Sequence, residues 1–355
     1  MSDGESVGEV DAAARTGGFL DPSLDRTSIA PQGEVIERDE LISWYRAMRL
    51  ARTFEQRLAR VYRQGGKIEG AVYLGSGHEA TSVGVASLLT RGDYWSTVAR
   101  NLSAWFLKGV EPNSVMARWF GRDEAPQRGR ELGLFLADLE GVGLAPYNNG
   151  SMASWLPSGA GFAWSLKRKG AGNVYVAMTG DGATSPGDFY EGLSIASIHR
   201  LPLVVIVENN CFAYSTPAEK QMPVANVADR AAAFNIPSSI GFGSDVFEVR
   251  RLAREAIERA RSGGGPSIVE LKCFRQRGHG EHDDMKYVDP ELRKFWEARD
   301  PVAMFTAYLL DSGTVDQAVF DEIDAACQEL VEGAVAYADS RPFPPKSSVS
   351  SGVFA

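Results

Sequence analysis

Two short apolar runs, each followed directly by oxygen-bearing side chains, constrain the fold of this 355-residue chain most. Residues 174–178 precede Gly180-Asp181-Gly182, and residues 203–207 precede Glu208-Asn209-Asn210. Short apolar runs bounded by turn residues are typical of buried strands, and the amphipathic segment between them predicts a strand–helix–strand unit. The polar groups would then lie at the carboxyl edge of a parallel sheet, where such sheets bind ligands.

The residues after these two runs favour a diphosphate that is held through a metal ion. Glycines on both sides of Asp181 let backbone N–H groups approach a diphosphate. The carboxylate of Asp181 and the amide of Asn210 supply the hard oxygen ligands that Mg²⁺ prefers. Asp181 could instead cap the segment that follows it, but the matching position of Asn210 favours the cofactor site.

The remaining pattern predicts an α/β fold, with a parallel sheet flanked by helices. Helical spacing of apolar residues begins at residue 39 and recurs at 81–89, 103–107 and 247–260, and residues 267–271 form a further strand-like run. Helices that alternate with short apolar strands indicate a parallel sheet. The Gly-rich, poorly periodic residues 121–150 have the composition of a loop that lines a site.

Composition excludes several classes of partner. The net charge is −9 with scattered basic residues, which argues against nucleic acid and against an anionic membrane surface. No apolar run approaches the roughly 20 residues that a membrane helix needs, and the acidic first eleven residues do not resemble a secretory signal. Three widely spaced cysteines fit a reducing compartment, so we expect a cytoplasmic protein.

An ordered set of motifs gives the chain a family resemblance. Gly180-Asp181-Gly182, residues 183–208 and then Asn209-Asn210 resemble the thiamine diphosphate motif. Further elements of the set are Gly77-His78-Glu79-Ala80, Arg100, Gly159-Ala160-Gly161, Gly265-Pro266 and residues 275–279. Over residues 36–345 the chain resembles the alpha subunit of the thiamine diphosphate-dependent decarboxylase component of 2-oxo acid dehydrogenase complexes. The expected organisation is an amino-terminal tail over residues 1–35, a thiamine diphosphate-binding domain over residues 36–345 and a carboxy-terminal tail over residues 346–355. The domain would have the diphosphate-binding fold of this family.

The resemblance implies a metal and diphosphate site. Asp181, the side chain of Asn210 and the backbone carbonyl of Phe212 would bind Mg²⁺, which requires octahedral oxygen coordination. Backbone N–H groups of Gly182 and Ala183 would face the diphosphate.

The resemblance also implies contacts to the rest of the cofactor. Arg100 and Arg275 match the two arginines that hold the diphosphate, and their forked donors suit that anion. Gly150 and Met152 match the residues that grip and support the aminopyrimidine ring. His279 matches the catalytic histidine beside the thiazolium, where an ordinary pKa would suit it to proton donation.

The implied activity is decarboxylation of pyruvate or a branched-chain 2-oxo acid, with transfer of the acyl group to a lipoyl carrier. In this family a separate beta subunit supplies the glutamate that activates the aminopyrimidine. We therefore expect an α₂β₂ heterotetramer and, as acceptor, a lipoyl acyltransferase. The chain departs from the family at Ala99, where tyrosine is usual, at His78, where many pyruvate members have glutamine, and at Gly280, where mitochondrial members have a phosphorylated serine. These departures leave the substrate open.

Other functions remain open at the level of sequence. A thiamine diphosphate-dependent carboligase could use the same split site with another acyl acceptor, and a non-catalytic subunit could retain the fold. Residues 71–74 followed by Gly75-Ser76-Gly77-His78-Glu79-Ala80 superficially fit the fingerprint of a nicotinamide-binding strand and turn. The loop with His279, His282, Asp283 and Asp284 could chelate a transition metal.

Overall fold

A five-stranded parallel sheet organises the chain, as seen in a computed structural model that describes residues 24–131, 136–146 and 151–351. The strands in chain order are β1 (Tyr94–Ser96), β2 (Tyr175–Gly180), β3 (Leu203–Asn209), the short hairpin strands β4 (Phe212–Ala213) and β5 (Thr216–Pro217), β6 (Ser238–Phe242) and β7 (Ser267–Lys272). The sheet has the order β1-β2-β3-β7-β6, and β4 pairs with β5 alone. The α/β fold with a parallel sheet is therefore confirmed.

Helices precede and follow most of these strands. They are α1 (Arg38–Gln64), α2 (Glu79–Ala86), α3 (Leu102–Leu107), α4 (Pro112–Trp119), α5 (Trp155–Lys169), α6 (Gly187–Ile198), α7 (Ala218–Gln221), α8 (Val246–Arg261), α9 (Pro290–Glu297), α10 (Pro301–Asp311) and α11 (Gln317–Ser340). Short 3₁₀ segments lie at Asp181–Thr184, Val227–Phe234 and Lys346–Ser348.

The register of β2 and β3 positions the site. Gly180 pairs with Glu208, so the chain leaves both strands at the same edge, with Asp181 and Asn210 immediately beyond it. Helices α5 and α6 pack against each other, with α5 on β2 and β3, while α8 packs against β3, β6 and β7. Every residue of β3 is buried, which explains its uninterrupted apolar sequence.

The structure confirms the predicted strands at the centre of the sheet, but the strand predicted before Gly75 is absent. Residues 71–74 have no strand assignment and run as an extended segment before α2. The strands β1 and β6 were missed, because β1 has three residues and the sequence of β6, Ser-Ser-Ile-Gly-Phe, lacks an apolar run. Edge strands need less apolar surface than central ones, so their sequence signal is weak.

Part of the predicted amino-terminal tail packs against the domain. Leu24 and Ile29 are buried, Arg26 forms an ion pair with Glu248, and Glu34 accepts hydrogen bonds from Arg250 at 3.1 Å. Residues 24–34 are therefore held against α8, and the predicted domain boundaries otherwise stay a prediction.

All three cysteines are unpaired and buried. Within the described residues, none of the helices combines the length and apolar character needed to cross a membrane.

Candidate active site

Two buried side chains with free oxygen atoms lie where β2 and β3 end. Asp181 begins the 3₁₀ segment after β2 and is 1% exposed, while Asn210 follows β3 and is 5% exposed. Across the described ranges, Asp181 Oδ2 and Asn210 Oδ1 have no hydrogen-bond partner. Burial raises the pKa of Asp181 to about 6, and the backbone N–H of Asn210 acts in the opposite direction, so the two residues adjoin. An unsatisfied buried carboxylate is unfavourable unless a cation or donor compensates it.

Two arginines face a common histidine on the loop after β7. Arg100 Nη2 and Arg275 Nη1 each lie 3.4 Å from His279 Nδ1. Arg100 also donates to the carbonyl oxygen of His279 at 2.6 Å, and Arg275 donates to the carbonyl oxygen of Tyr214 at 2.9 Å. Burial, followed by the charge of Arg275, lowers the pKa of Arg100 to about 10. Within the described residues neither arginine forms an ion pair with a carboxylate, and two adjacent guanidinium groups of this kind form a strong site for an anion.

The loop before α2 holds these arginines in place. A Cβ atom on Gly75 would lie 1.9 Å from the carbonyl oxygen of Arg100, and one on Gly77 would lie 2.0 Å from the carbonyl oxygen of Phe274. The glycines therefore permit close backbone packing beside both arginines. Since no strand precedes them, the nicotinamide fingerprint lacks the structural context that it requires.

A buried carboxylate fixes the same loop from beneath. Glu55 on α1 is 2% exposed and accepts hydrogen bonds from the backbone N–H of Gly75 at 2.6 Å and from Ser76 Oγ at 3.0 Å. Burial, and then the nearby charge of Glu79, raises the pKa of Glu55 to about 8. No sequence motif marks this residue, although it lies between Ala51 and Leu58 on the apolar face of α1.

His279 does not have the ordinary pKa that its predicted role assumes. Burial, followed by the charges of Arg100 and Arg275, lowers its pKa to about 3. The ring packs edge-on against Tyr73 and Tyr214, with centroid distances of 5.3 and 4.6 Å. In this environment the imidazole is neutral at pH 7, and an anion bound to the arginines would raise its pKa by offsetting their charges.

Asp283 orders the histidine loop by hydrogen bonds. It accepts from the backbone N–H of His279 at 2.7 Å, from Tyr287 Oη at 2.6 Å and from the backbone N–H of Met285 at 3.0 Å. Across residues 24–131, 136–146 and 151–351, no three His, Cys, Asp or Glu side chains are grouped so that they could hold a metal ion. The loop therefore lacks the grouped side chains on which the transition-metal alternative depends.

One cavity of about 440 Å³ brings the predicted residues together. It is lined by nine of them: Arg100, Met152, Asp181, Gly182, Ala183, Asn210, Phe212, Arg275 and His279. Gly150 lies outside the described residues. The volume falls in the range of small-molecule and cofactor sites, roughly 300–1,000 Å³. The roles assigned to these residues stay predictions, but their placement in one site is an observation.

Of the further lining residues, four carry ionisable or aromatic side chains that were given no role from the sequence: Tyr73, His78, Glu208 and Tyr214. Glu208 directly precedes the Asn-Asn pair and His78 belongs to the Gly-His-Glu-Ala motif, so both had a positional signal. The two tyrosines had none, because only the fold brings residues 73 and 214 to the ring of residue 279.

Comparison with known proteins agrees with this geometry. The family model described as "Dehydrogenase E1 component" matches residues 45–347. The alpha subunit of acetoin:2,6-dichlorophenolindophenol oxidoreductase from Bacillus subtilis is 33% identical over 324 residues, which cover 91% of this chain and 96% of that protein.

Pyruvate dehydrogenase subunits are similarly related. The chloroplastic E1 component subunit alpha-3 from Arabidopsis thaliana is 33% identical over 90% of this chain and 76% of its own length. The E1 component subunit alpha from Zymomonas mobilis is 31% identical over 87% of this chain and 86% of its own length. The chain therefore belongs to the dehydrogenase E1 component family, as an alpha subunit of the thiamine diphosphate-dependent 2-oxo acid dehydrogenases.

Proposed function

We propose that this chain binds thiamine diphosphate through Mg²⁺ and, together with a beta subunit, decarboxylates a 2-oxo acid and passes the acyl group to a lipoyl carrier. The observation that carries the proposal is the single cavity that gathers two unsatisfied buried oxygens, from Asp181 and Asn210, with the guanidinium groups of Arg100 and Arg275. A hard cation would satisfy the oxygens and a diphosphate would satisfy the arginines.

The residues present fit the cofactor. Asp181 and Asn210 would hold Mg²⁺ together with a backbone carbonyl from Phe212, and Gly182 and Ala183 would offer their backbone to the diphosphate. Gly182 lies close to the β4–β5 hairpin, since a Cβ atom there would come within 2.9 Å of the Ala213 side chain. When bound, thiamine diphosphate supplies the carbon nucleophile and electron sink that decarboxylation of a 2-oxo acid needs.

The chain's own residues would prepare the site for that chemistry. Arg100 and Arg275 would fix the diphosphate and, once their charges are matched, allow His279 to hold a proton beside the substrate. The apolar side chains of Val98, Phe212 and Met152 in the wall would limit water.

The proposal includes the assembly and the compartment. A beta subunit would complete the site, which the alpha-subunit names of the relatives support, and a lipoyl acyltransferase would receive the product. Three buried, unpaired cysteines support a reducing cytoplasm.

The test is an assay of the chain co-expressed with a beta-subunit partner. The complex should release CO₂ from pyruvate or a branched-chain 2-oxo acid only with thiamine diphosphate and Mg²⁺, and product transfer should require lipoamide. The complex that carries Asp181→Asn serves as the matched inactive control. Full activity of the alpha chain alone would refute the split site, and turnover that is independent of lipoamide would favour a carboligase.

A further inference from the structure

A buried histidine with an unused nitrogen borders the cavity. His78 directly precedes α2 and is 1% exposed. Its backbone is fixed, because its N–H donates to the carbonyl oxygen of Gly75 at 2.8 Å and its carbonyl oxygen accepts from the backbone N–H of Ser82 at 3.0 Å. The imidazole therefore has a defined position in the wall of the site.

A carboxylate holds one side of this ring. Glu208 is fully buried, and its Oε2 lies 3.3 Å from His78 Nδ1. Its other oxygen accepts hydrogen bonds from Thr81 Oγ1 and, at 2.9 Å, from Asn101 Nδ2. The Nδ1–Oε2 contact is an ion-pair distance without hydrogen-bond alignment, and neither atom has a hydrogen-bond partner within the described part of the chain. The carboxylate is thus anchored on one side and faces the ring on the other.

The second ring nitrogen, Nε2, is also buried and has no hydrogen-bond partner among the residues that the structure describes. Native proteins seldom keep a buried polar atom unsatisfied, because the unpaired group destabilises the fold. A ligand in the cavity would supply the missing partner. With a carboxylate at Nδ1 and an anionic oxygen at Nε2, an imidazole that carries both hydrogens satisfies both neighbours.

We propose that His78 is an additional anion-binding residue, whose Nε2–H donates to a phosphate oxygen of the ligand while Glu208 orients the ring. The inference rests on the proposed diphosphate site and deepens it. Arg100 lines the same cavity, and the negative charge of Glu208 opposes the lowering of the Arg100 pKa. Ala99, next to Arg100, also lines the cavity, and its methyl side chain has no hydrogen-bond donor. His78 would therefore offer the phosphate a donor that residue 99 does not provide.

Two substitutions separate the roles of the two ring nitrogens. In His78→Asn the amide nitrogen takes the place of Nδ1, so the donor towards Glu208 is kept and the donor towards the ligand is lost. In His78→Gln the amide nitrogen takes the place of Nε2, so the donor towards the ligand is kept. The probe is inorganic diphosphate with Mg²⁺, titrated calorimetrically into the complex of this chain with its beta partner. We expect His78→Asn to weaken binding about tenfold or more, and His78→Gln to stay within about threefold of the wild type.

Each other outcome counts against a specific claim. Equal affinities for both variants, or a weaker His78→Gln, would overturn the assignment of Nε2 to the diphosphate. A raised KM for the 2-oxo acid with unchanged diphosphate affinity would overturn it in favour of the substrate carboxylate. Absence of binding by the wild type would refute the proposed diphosphate site itself. If His78→Asn does not fold, His78→Met replaces it, and affinity equal to that of His78→Gln would then overturn the inference.

Discussion

The two arginines beside His279 make its protonation depend on what they bind, and Arg100→Gln tests this. Arg100 Nη2 and Arg275 Nη1 both lie 3.4 Å from Nδ1, and burial with these charges lowers the pKa of His279 to about 3. The substitution removes one positive charge while it keeps a polar side chain of similar length. Because burial, the largest cause, remains, we expect only part of the shift to be reversed.

The size of the effect follows from the separation of the charges. Two unit charges about 4 Å apart at an effective dielectric of about 20 interact by roughly 4 kcal/mol, which corresponds to roughly 3 pKa units. The imidazole of His279 is partly exposed, so solvent screening reduces the expected rise to about 1 unit. A diphosphate that pairs with both arginines should raise the pKa further, to above about 5, because it offsets two positive charges.

The assay is NMR of the complex with ¹³C-labelled histidine in this chain. Only four histidine signals arise, and each is assigned by substitution. Between pH 8 and 5 the His279 signal should stay constant in the ligand-free wild type and titrate once diphosphate and Mg²⁺ are present. Arg100→Gln should begin to titrate near pH 5, whereas Arg100→Lys, the control that keeps the charge, should not. A midpoint near 6.5 in the ligand-free wild type would refute the reasoning.

Three further predictions concern the metal ligand, the buried carboxylate and the tight loop. Asp181→Asn should lower Mg²⁺-dependent cofactor affinity at least about 100-fold, measured by calorimetry, while circular dichroism shows an intact fold; unchanged affinity would refute the metal assignment. The pKa of Glu55 is raised to about 8 in the folded chain. Its contribution to the free energy of unfolding is therefore complete at pH values below the pKa that Glu55 has in the unfolded chain, and it is lost as the pH rises through about 8. Glu55→Gln should therefore flatten the decline in free energy of unfolding between pH 5.5 and 8, measured by urea denaturation, and equal slopes would contradict this. Gly75→Ala should destabilise by about 1–3 kcal/mol in thermal unfolding, because its Cβ would meet the Arg100 carbonyl at 1.9 Å. The matched control Gly161→Ala has nothing within 4 Å and should be neutral or stabilising.

The centre of the sheet and the residues at its carboxyl edge were predictable because strong local patterns encode them. The strands β2 and β3 are buried along almost their whole length, so their sequences are continuously apolar and end abruptly at Asp181 and Asn210. Among the described strands, the edge strand β6 pairs with β7 alone, and its exposed Ser238 and Ile240 leave no such pattern.

Other parts of the site depend on contacts between distant segments. Arg100 and Arg275 could be assigned by family resemblance, but no local pattern reveals that both converge on the Nδ1 atom of His279. The pKa of His279 follows from that convergence and was therefore predicted wrongly from its ordinary value. Glu55 illustrates the opposite case, since its place on the apolar face of α1 can be read from the helical spacing, but no motif marks it as part of the site.

The central claim is that one cavity of this chain holds the metal and diphosphate of the cofactor. The most direct measurement is a crystal structure of the complex grown with thiamine diphosphate and Mn²⁺ in place of Mg²⁺. We predict an anomalous peak within coordination distance of Asp181 Oδ2 and Asn210 Oδ1, with diphosphate density against Arg100 and Arg275. A metal peak elsewhere, or a diphosphate that does not contact the arginines, would contradict the account.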